Sequence, residues 1–385
     1  MENTPYYFYD LDLLNRTLNE VELNVKNTLF KVHYALKANN NKKIVSFIAK
    51  RNLGADCVSG GEIALALECG FVASEIVFAG VGKTDEEIEY ALIKNIGIIH
   101  CEGLEELQVI NEIAGKLNCR PKIAIRLNPD VNAHTHEKIS TGLNENKFGF
   151  SEQEFEELAG IHTTLLNIEI IGLHFHIGSQ ITDLSVFVDL CDRVNEFVPD
   201  FESKFGKLTY LNVGGGLGID YDEPELFPIP DFKTYFEIFS SCLNIDSSVA
   251  VHFELGRSLV AQCGSLRTKV LYVKRSATKN FAVVDAGMTE LLRPAMYGAH
   301  HKIEKFSTGF NLNKFNYDVV GPLCESSDFF AKDIPLPELK RGDILTIKSC
   351  GAYGESMSLS YNGRAKAKSV ISQNVLTQFR IIKSA

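Results

Sequence analysis

The sequence predicts an α/β protein, a (β/α)8 barrel of the TIM type with a second, mainly antiparallel β domain. Three observations carry this. Between about residue 30 and residue 260, β-rich runs alternate with helical segments. In those segments apolar residues recur at helical spacing. After about residue 260 the alternation stops, and short β-branched runs separated by turn signals take over. Eight strands with helical crossovers match a closed barrel in both count and length. The barrel is expected over residues 26–262. Residues 1–25 and 263–385 are expected to form the β domain, because YYFYD at the start reads as a strand. An open doubly wound sheet is the alternative that the same alternation allows.

The barrel strands are expected at 30–37 (FKVHYALK), 54–59, 75–80 (EIVFAG), 96–102, 122–129 (KIAIRLNP), 167–178, 208–216 (LTYLNVGGG) and 250–257 (AVHFELGR). Helices are expected at 84–95, 103–118 and 183–197, among others. In the second of these, Leu104, Leu107, Ile110 and Ile113 share one face. Thr84 with Glu87, and Ser151 with Glu154, have the spacing of capping boxes that open helices. In the second domain strands are expected at 266–275, 280–286, 317–320 and 343–348. Turns are expected at Asn311–Asn313, Pro335–Pro337 and Arg341–Asp343.

Composition narrows the function. The chain has 385 residues, 45% hydrophobic and 23% charged, with a net charge of −10. That is a folded protein, and the negative balance argues against a nucleic acid or an anionic membrane as its main partner. No apolar run approaches the roughly 18 residues that a membrane span needs. The first residues carry Glu2, Asp10 and Asp12 with no basic stretch, so a secretory signal is not expected and a cytoplasmic protein is. Nine scattered cysteines without a C-x-x-C pair read as reduced thiols and not as a zinc site. His134 and His136 have a ligand-like spacing, but no third ligand at a matching offset accompanies them, and no metal is expected.

Barrel enzymes build their sites at the C-terminal ends of the strands. Those positions hold Lys37, Asp56, Arg126, His176 with Ser179, Gly214–Gly218, and Glu254 to Arg257. Gly214, Gly215, Gly216 and Gly218 follow the seventh strand, where a glycine-rich turn lets backbone approach a phosphate. A bare turn is the other reading, and Gly256 with Arg257 after the next strand favours the phosphate. Lys37 ends an apolar strand, where desolvation favours the neutral amine that Schiff-base chemistry requires. A lysine reaching out to solvent is the simpler account. Together, a strand-end lysine and a phosphate loop suggest pyridoxal 5′-phosphate. Glu254 could then face the pyridine nitrogen, or simply pair with Arg257. His176 could stack on the ring or belong to the edge of the core. Cys324, in GPLCESSD, and Tyr353, in GAYGE, lie in loop-like settings of the second domain.

Taken together, YALKAN, NPDVNAHTHEKISTGLNENKFG, HFHIGSQ, NVGGGLG, ELGRS, VDAGMTELLRPAMYGAHH, GPLCESSD and GAYGESMSLSYNGR resemble the diaminopimelate decarboxylase family. Its members are fold type III pyridoxal phosphate enzymes, related to ornithine and arginine decarboxylases and more distantly to alanine racemase. The resemblance implies a decarboxylase that converts meso-2,6-diaminopimelate to L-lysine and carbon dioxide at the end of lysine biosynthesis. It implies that Lys37 joins the cofactor, that His176 stacks on it, and that Ser179, the Gly214–Gly218 loop, Gly256 and Arg257 hold its phosphate. Glu254 would pair with the ring nitrogen. Arg257, Arg293, Tyr297 and Glu325 match substrate-binding positions, and Tyr353 matches a contact to both substrate and cofactor. Cys324 matches the acid that protonates the product carbon. The family places Cys324 and Glu325 of one subunit in its partner's site, so a homodimer is implied. Asp56 and Arg126 match positions behind the site. The chain departs from the family pattern at Leu255, Ala286 and His300, none of which is a reacting group. A carboxynorspermidine decarboxylase of the same fold is the alternative, against which the two arginines weigh.

Overall fold

The computed structural model of the chain describes residues 2–131, 147–306 and 313–372. His134, His136 and most of the Asn311–Asn313 turn lie outside the described residues. The chain opens with β1 (Tyr6–Tyr9) and α1 (Leu11–Val25). It divides into two compact units. One comprises Leu18–Gly218 and Asp231–Gly256, the other Met1–Thr17, Ile219–Pro230 and Arg257–Ala385. Residues 219–230, which the sequence reading gave to the barrel, cluster with the second unit.

The first unit is a closed parallel barrel. Its strands are β2 (Phe30–Ala35), β3 (Gly54–Cys57), β4 (Ile76–Phe78), β5 (Ile98–Cys101), β6 (Lys122–Arg126), β7 (Glu169–His174), β8 (Tyr210–Asn212) and β9 (Ala250–Leu255). They pair in chain order, and β9 closes on β2 with Glu254 beside His33. Each is shorter than its β-rich run, because residues such as 36–37 and 213–216 leave the sheet to form the loops at the strand ends. The intervening helices are α2 (Lys42–Ile48), α3 (Gly60–Cys69), α4 (Asp85–Ile93), α5 (Leu104–Leu117), α6 (Glu152–Ile161), α7 (Ser185–Phe205) and α8 (Phe232–Cys242). Both capping boxes are formed, Thr84 with Glu87 and Ser151 with Glu154. Leu104, Leu107, Ile110 and Ile113 are all buried along α5. Helix α7 runs eight residues beyond the expected end at 197 and passes through Pro199. Val198 and Phe201 are buried on either side of that proline, so the apolar face carries the helix across a missing N–H.

The second unit holds α9 (Arg257–Val260), β10 (Gly264–Arg275), β11 (Asn280–Val284), α10 (Arg293–Tyr297), β12 (Ile303–Lys305), β13 (Lys314–Val320), β14 (Phe329–Pro337), β15 (Ile344–Ile347) and β16 (Lys368–Ile371). The strands run β12-β15-β10-β11-β13-β14, and β1 joins β10 to β16. The sheet is mainly antiparallel, as expected, but two of its pairings are parallel. Strand β1 is antiparallel to β10 but parallel to β16, and β13 is parallel to β11. A long excursion through α10 and β12 turns the chain round before β13, which a tight hairpin cannot do. The expected turn at Pro335–Pro337 is strand instead, paired with Lys314–Asn316. Strand β14 ends the row, and an edge strand needs no N–H on its outer side, so proline is tolerated there. Among the described residues no helix is long and apolar enough to cross a membrane. Cys57, Cys101, Cys191, Cys263 and Cys350 are buried free thiols, whereas Cys324 is exposed.

Candidate active site

In the barrel unit Lys37 occupies a single 3-10 turn directly after β2, between the fully buried Leu36 and Ala38. Those neighbours fix the backbone and leave the lysine side chain about a third exposed, with Nζ donating to Asp56 Oδ2 at 3.2 Å. Asp56 is fully buried at the end of β3. Burial and the nearby Glu254 charge push its carboxyl up to about 6, against the pull of Lys37.

Glu254, on β9, is buried among polar groups of the barrel interior. Asn212 Nδ2 donates to Oε1 at 3.0 Å, and His174 Nε2 lies 3.3 Å from Oε2. His100 Nδ1 is 3.2 Å from Oε1, and its ring stacks on His174 at 4.0 Å. Burial alone would raise the carboxyl, but His174 and His100 overcome it and hold Glu254 well below the usual range. His174 itself is pushed down to about 4 by burial, so near neutrality it serves as a neutral donor. Behind them His100 Nε2 meets the Tyr210 hydroxyl at 2.9 Å, and His33 Nε2 meets His252 Nδ1 at 2.8 Å. The donor atoms of His100, His174 and Glu254 lie within 4.8 Å of one another.

The glycine loop follows β8. Gly214 adopts φ +71°, and a Cβ there would fall 2.3 Å from the Phe175 carbonyl; at Gly215 one would fall 1.9 Å from the Glu254 carbonyl. No side chain fits, so glycine is sterically required. The Gly214 and Gly215 N–H groups donate to Asn212 and to His176 Nδ1, and Gly218 donates to Ile181. Ile181 in turn donates to Gly216 at 2.9 Å, tying this loop to the segment that carries His176 and Ser179. His176 is driven well below its ordinary value by burial and by the Lys37 charge, which keeps the ring neutral. Arg126, on β6, is held by Glu102 at 2.7 Å. These residues fit pyridoxal phosphate: an amine on a fixed turn, an ionised buried carboxylate, a neutral imidazole, and a loop with its side chains removed.

The second unit gathers a different set. Arg257 and Arg293 are both buried, and each donates through Nη1 to the Tyr221 hydroxyl, at 2.7 and 2.9 Å. The Arg257 guanidinium lies 4.9 Å from the Tyr353 ring, and the nearby Tyr221, Tyr353 and Tyr297 hydroxyls raise Arg257 above its ordinary value against its burial. Tyr353 holds φ +56°, a conformation that a bulky residue keeps only when its surroundings impose it. His301 accepts from Arg293 at 2.8 Å. Cys324 and Glu325 are exposed on the loop between β13 and β14. Asp328 clasps that loop by accepting the N–H groups of Leu323 and Met288, both at 2.7 Å. The Tyr361 hydroxyl donates to Glu325 at 2.6 Å.

Sequence reasoning named Lys37, Asp56, His176 and Glu254 but missed His100, His174, Asn212, Tyr221, His301 and Asp328. A signal existed for the first three. Polar residues inside the short apolar strands IIHC, GLH and YLN must face some buried partner. Tyr221, His301 and Asp328 lie in loops, where no period marks a buried residue, although His301 and Asp328 end the motifs VDAGMTELLRPAMYGAHH and GPLCESSD.

Residues 11–261 match the pyridoxal-dependent decarboxylase family through its pyridoxal binding domain. The chain is 49% identical over 374 residues to the diaminopimelate decarboxylase of Bacteroides thetaiotaomicron, covering 97% of this chain and 96% of that one. It is 42% identical to the diaminopimelate decarboxylase of Helicobacter pylori, over 94% of this chain and 89% of that one. A crystal structure of the H. pylori enzyme complexed with L-lysine superposes with a TM-score of 0.91 at 38% identity, covering 100% and 98% of the two chains. One of the M. jannaschii diaminopimelate decarboxylase with L-lysine gives 0.88 at 35%, covering 97% and 88%. The chain therefore belongs to the pyridoxal-dependent decarboxylases, and among them to the diaminopimelate decarboxylase family.

Proposed function

We propose that this protein decarboxylates meso-2,6-diaminopimelate to L-lysine and carbon dioxide, with pyridoxal 5′-phosphate as cofactor, as the last step of lysine biosynthesis. The observation that carries this reading is the convergence of two buried guanidiniums, Arg257 and Arg293, on one hydroxyl. Two desolvated cations so close together repel, and a bidentate carboxylate relieves both. Diaminopimelate carries such a carboxylate at its far end; a purely cationic tail does not. Pyridoxal phosphate, when bound, supplies an electron sink for the bond that releases carbon dioxide. Lys37 would hold it covalently, the glycine loop with Ser179, Gly256 and the Arg257 backbone would take its phosphate, and Glu254 would place a fixed negative charge at its ring nitrogen. His176 would cover the ring. Tyr297 and Tyr353 would flank the substrate.

Cys324 would return a proton to the α-carbon, and Glu325 would take the distal ammonium. Their exposure supports an arrangement in which one subunit's Cys324 and Glu325 serve the Lys37 of its partner in a homodimer, as the family resemblance implies. The net charge of −10 fits a cytoplasmic enzyme with no nucleic-acid or membrane partner. The test is to offer the purified holoenzyme meso-diaminopimelate, ornithine, arginine and carboxynorspermidine and to assay carbon dioxide and amine products. Lysine from meso-diaminopimelate at the highest kcat/KM is expected, and preference for another substrate would reject the reading.

A further inference from the structure

We propose that Tyr221 and His301 are positioning residues that build the carboxylate receptor, and through it the protein's preference for a substrate with a second carboxylate. The inference rests on reading Arg257 and Arg293 as that receptor. A phenolic oxygen offers two acceptor sites and one donor. At Tyr221 the acceptor sites face Arg257 Nη1 at 2.7 Å and Arg293 Nη1 at 2.9 Å, so its own proton points away from both cations. The hydroxyl thereby fixes the spacing of two groups that would otherwise move apart. The ring adds to this, with the Arg293 guanidinium 4.9 Å from its centroid and His301 packed edge-on at 5.1 Å.

His301 aims the second arginine. Its Nδ1 lies 2.8 Å from the Lys348 carbonyl, which accepts only, so the ring proton sits on Nδ1. Nε2 is then an acceptor, and Arg293 Nη1 donates to it at 2.8 Å. Burial and the Arg293 charge push His301 down to about 3, so it stays neutral in its role. Both hydrogens of Arg293 Nη1 are thus committed, one to Tyr221 and one to His301. The Nε–Nη2 edge is left to meet a carboxylate. Neither Tyr221 nor His301 is anionic, so these two contacts aim Arg293 without neutralising it.

The segment carrying Tyr221 is braced from the same place. Lys348, whose carbonyl orients His301, pairs through its side chain with Glu225 at 2.8 Å. Lys302, beside His301, pairs with Glu223 at 2.8 Å and Glu225 at 3.2 Å. Gln262 donates to the Phe227 carbonyl. Tyr221 and His301 are therefore held from one framework.

The experiment compares two ligands that differ by one carboxylate, L-lysine and cadaverine, binding to the holoenzyme in calorimetry. Wild type should prefer L-lysine. Tyr221→Phe keeps the ring and removes the oxygen, and the preference should fall roughly ten- to thirtyfold, the loss typical of one hydrogen bond to a charged group. KM for meso-diaminopimelate should rise by a similar factor, with a smaller change in kcat. His301→Leu should lower the preference as well, and His301→Gln, which restores an acceptor, should recover part of it. A Tyr221→Phe protein that keeps the wild-type preference, or that loses both ligands equally, overturns the proposal and leaves the reaction standing. If Tyr221→Phe does not fold, equal preference in His301→Leu and His301→Gln overturns it instead. A wild type without preference for L-lysine rejects the receptor itself, and with it the proposed substrate.

Discussion

Carboxylates in this barrel, the buried Glu254 and the partly buried Glu62, differ in charge state according to what donates to them. Glu254 has Asn212 and His174 as donors and stays ionised. Glu62 has one, the Val58 N–H at 2.8 Å, and burial pushes it up to about 7. Its folded value exceeds the ordinary 4.5 of an unfolded chain, so its stabilising contribution is complete below pH 4.5 and is lost as pH rises through 7. Glu62→Gln should flatten this dependence. Thermal unfolding from pH 4.5 to 8 should show the variant gaining on wild type by about 2–3 kcal/mol across the window. Equal pH dependence in both proteins would contradict the assignment. His174→Leu removes a donor from Glu254 and should weaken pyridoxal phosphate binding roughly tenfold, read by cofactor titration of the apoprotein. His176 was legible in HFHIG because it lies just past the end of β7, where barrel enzymes build their sites. His174, the last residue of β7, carried only the general signal that a polar residue in an apolar strand needs a buried partner, and a histidine there also reads as core.

At the scale of elements, the loop from β13 to β14 shows how a single side chain can hold an exposed cysteine, here the proposed proton donor. Asp328 is buried and accepts from Leu323 and Met288, so Cys324 projects from a clasped backbone. Asp328→Ala should cost about 2–4 kcal/mol in denaturant unfolding and lower kcat at least tenfold; Asp328→Asn, which keeps one acceptor, should recover part of each. Loss of stability with unchanged kcat would separate the clasp from the chemistry. The barrel strands were all legible because a strand buried on both faces is a short apolar run between turn signals. Strands β12, β14 and β16 were not. The first and last are three and four residues long, and β14 contains two prolines, so none carries a period long enough to read.

Across the whole molecule the division into a barrel and a β unit followed from where the alternation stops. The two parallel pairings, β1 with β16 and β11 with β13, did not, because strand direction depends on how long connections return, which composition does not encode. The proposed function also predicts that two copies of the chain share their active sites. Homodimers of Lys37→Ala and of Cys324→Ala should each be nearly inactive. If sites are shared across a two-fold axis, a mixed dimer has one site carrying both lesions and one carrying neither. Random exchange makes about half the dimers mixed, so carbon dioxide release should recover to about a quarter of wild type. No recovery after demonstrated exchange would put both residues in the same subunit's site.

Strand β1 lies between β10 and β16, with Tyr6 beside both Arg267 and Lys368. This sets a timetable for synthesis. The segment YYFY leaves the ribosome about 360 residues ahead of its last partner. At cellular elongation rates of about 5–20 residues per second, that is a delay of roughly 20–70 s. All eight barrel strands have been made by Leu255, so translation can finish the barrel while the aromatic strand is still waiting. A ribosome that stalls before Lys368 leaves one side of that strand unpaired, open to the same segment on a neighbouring nascent chain.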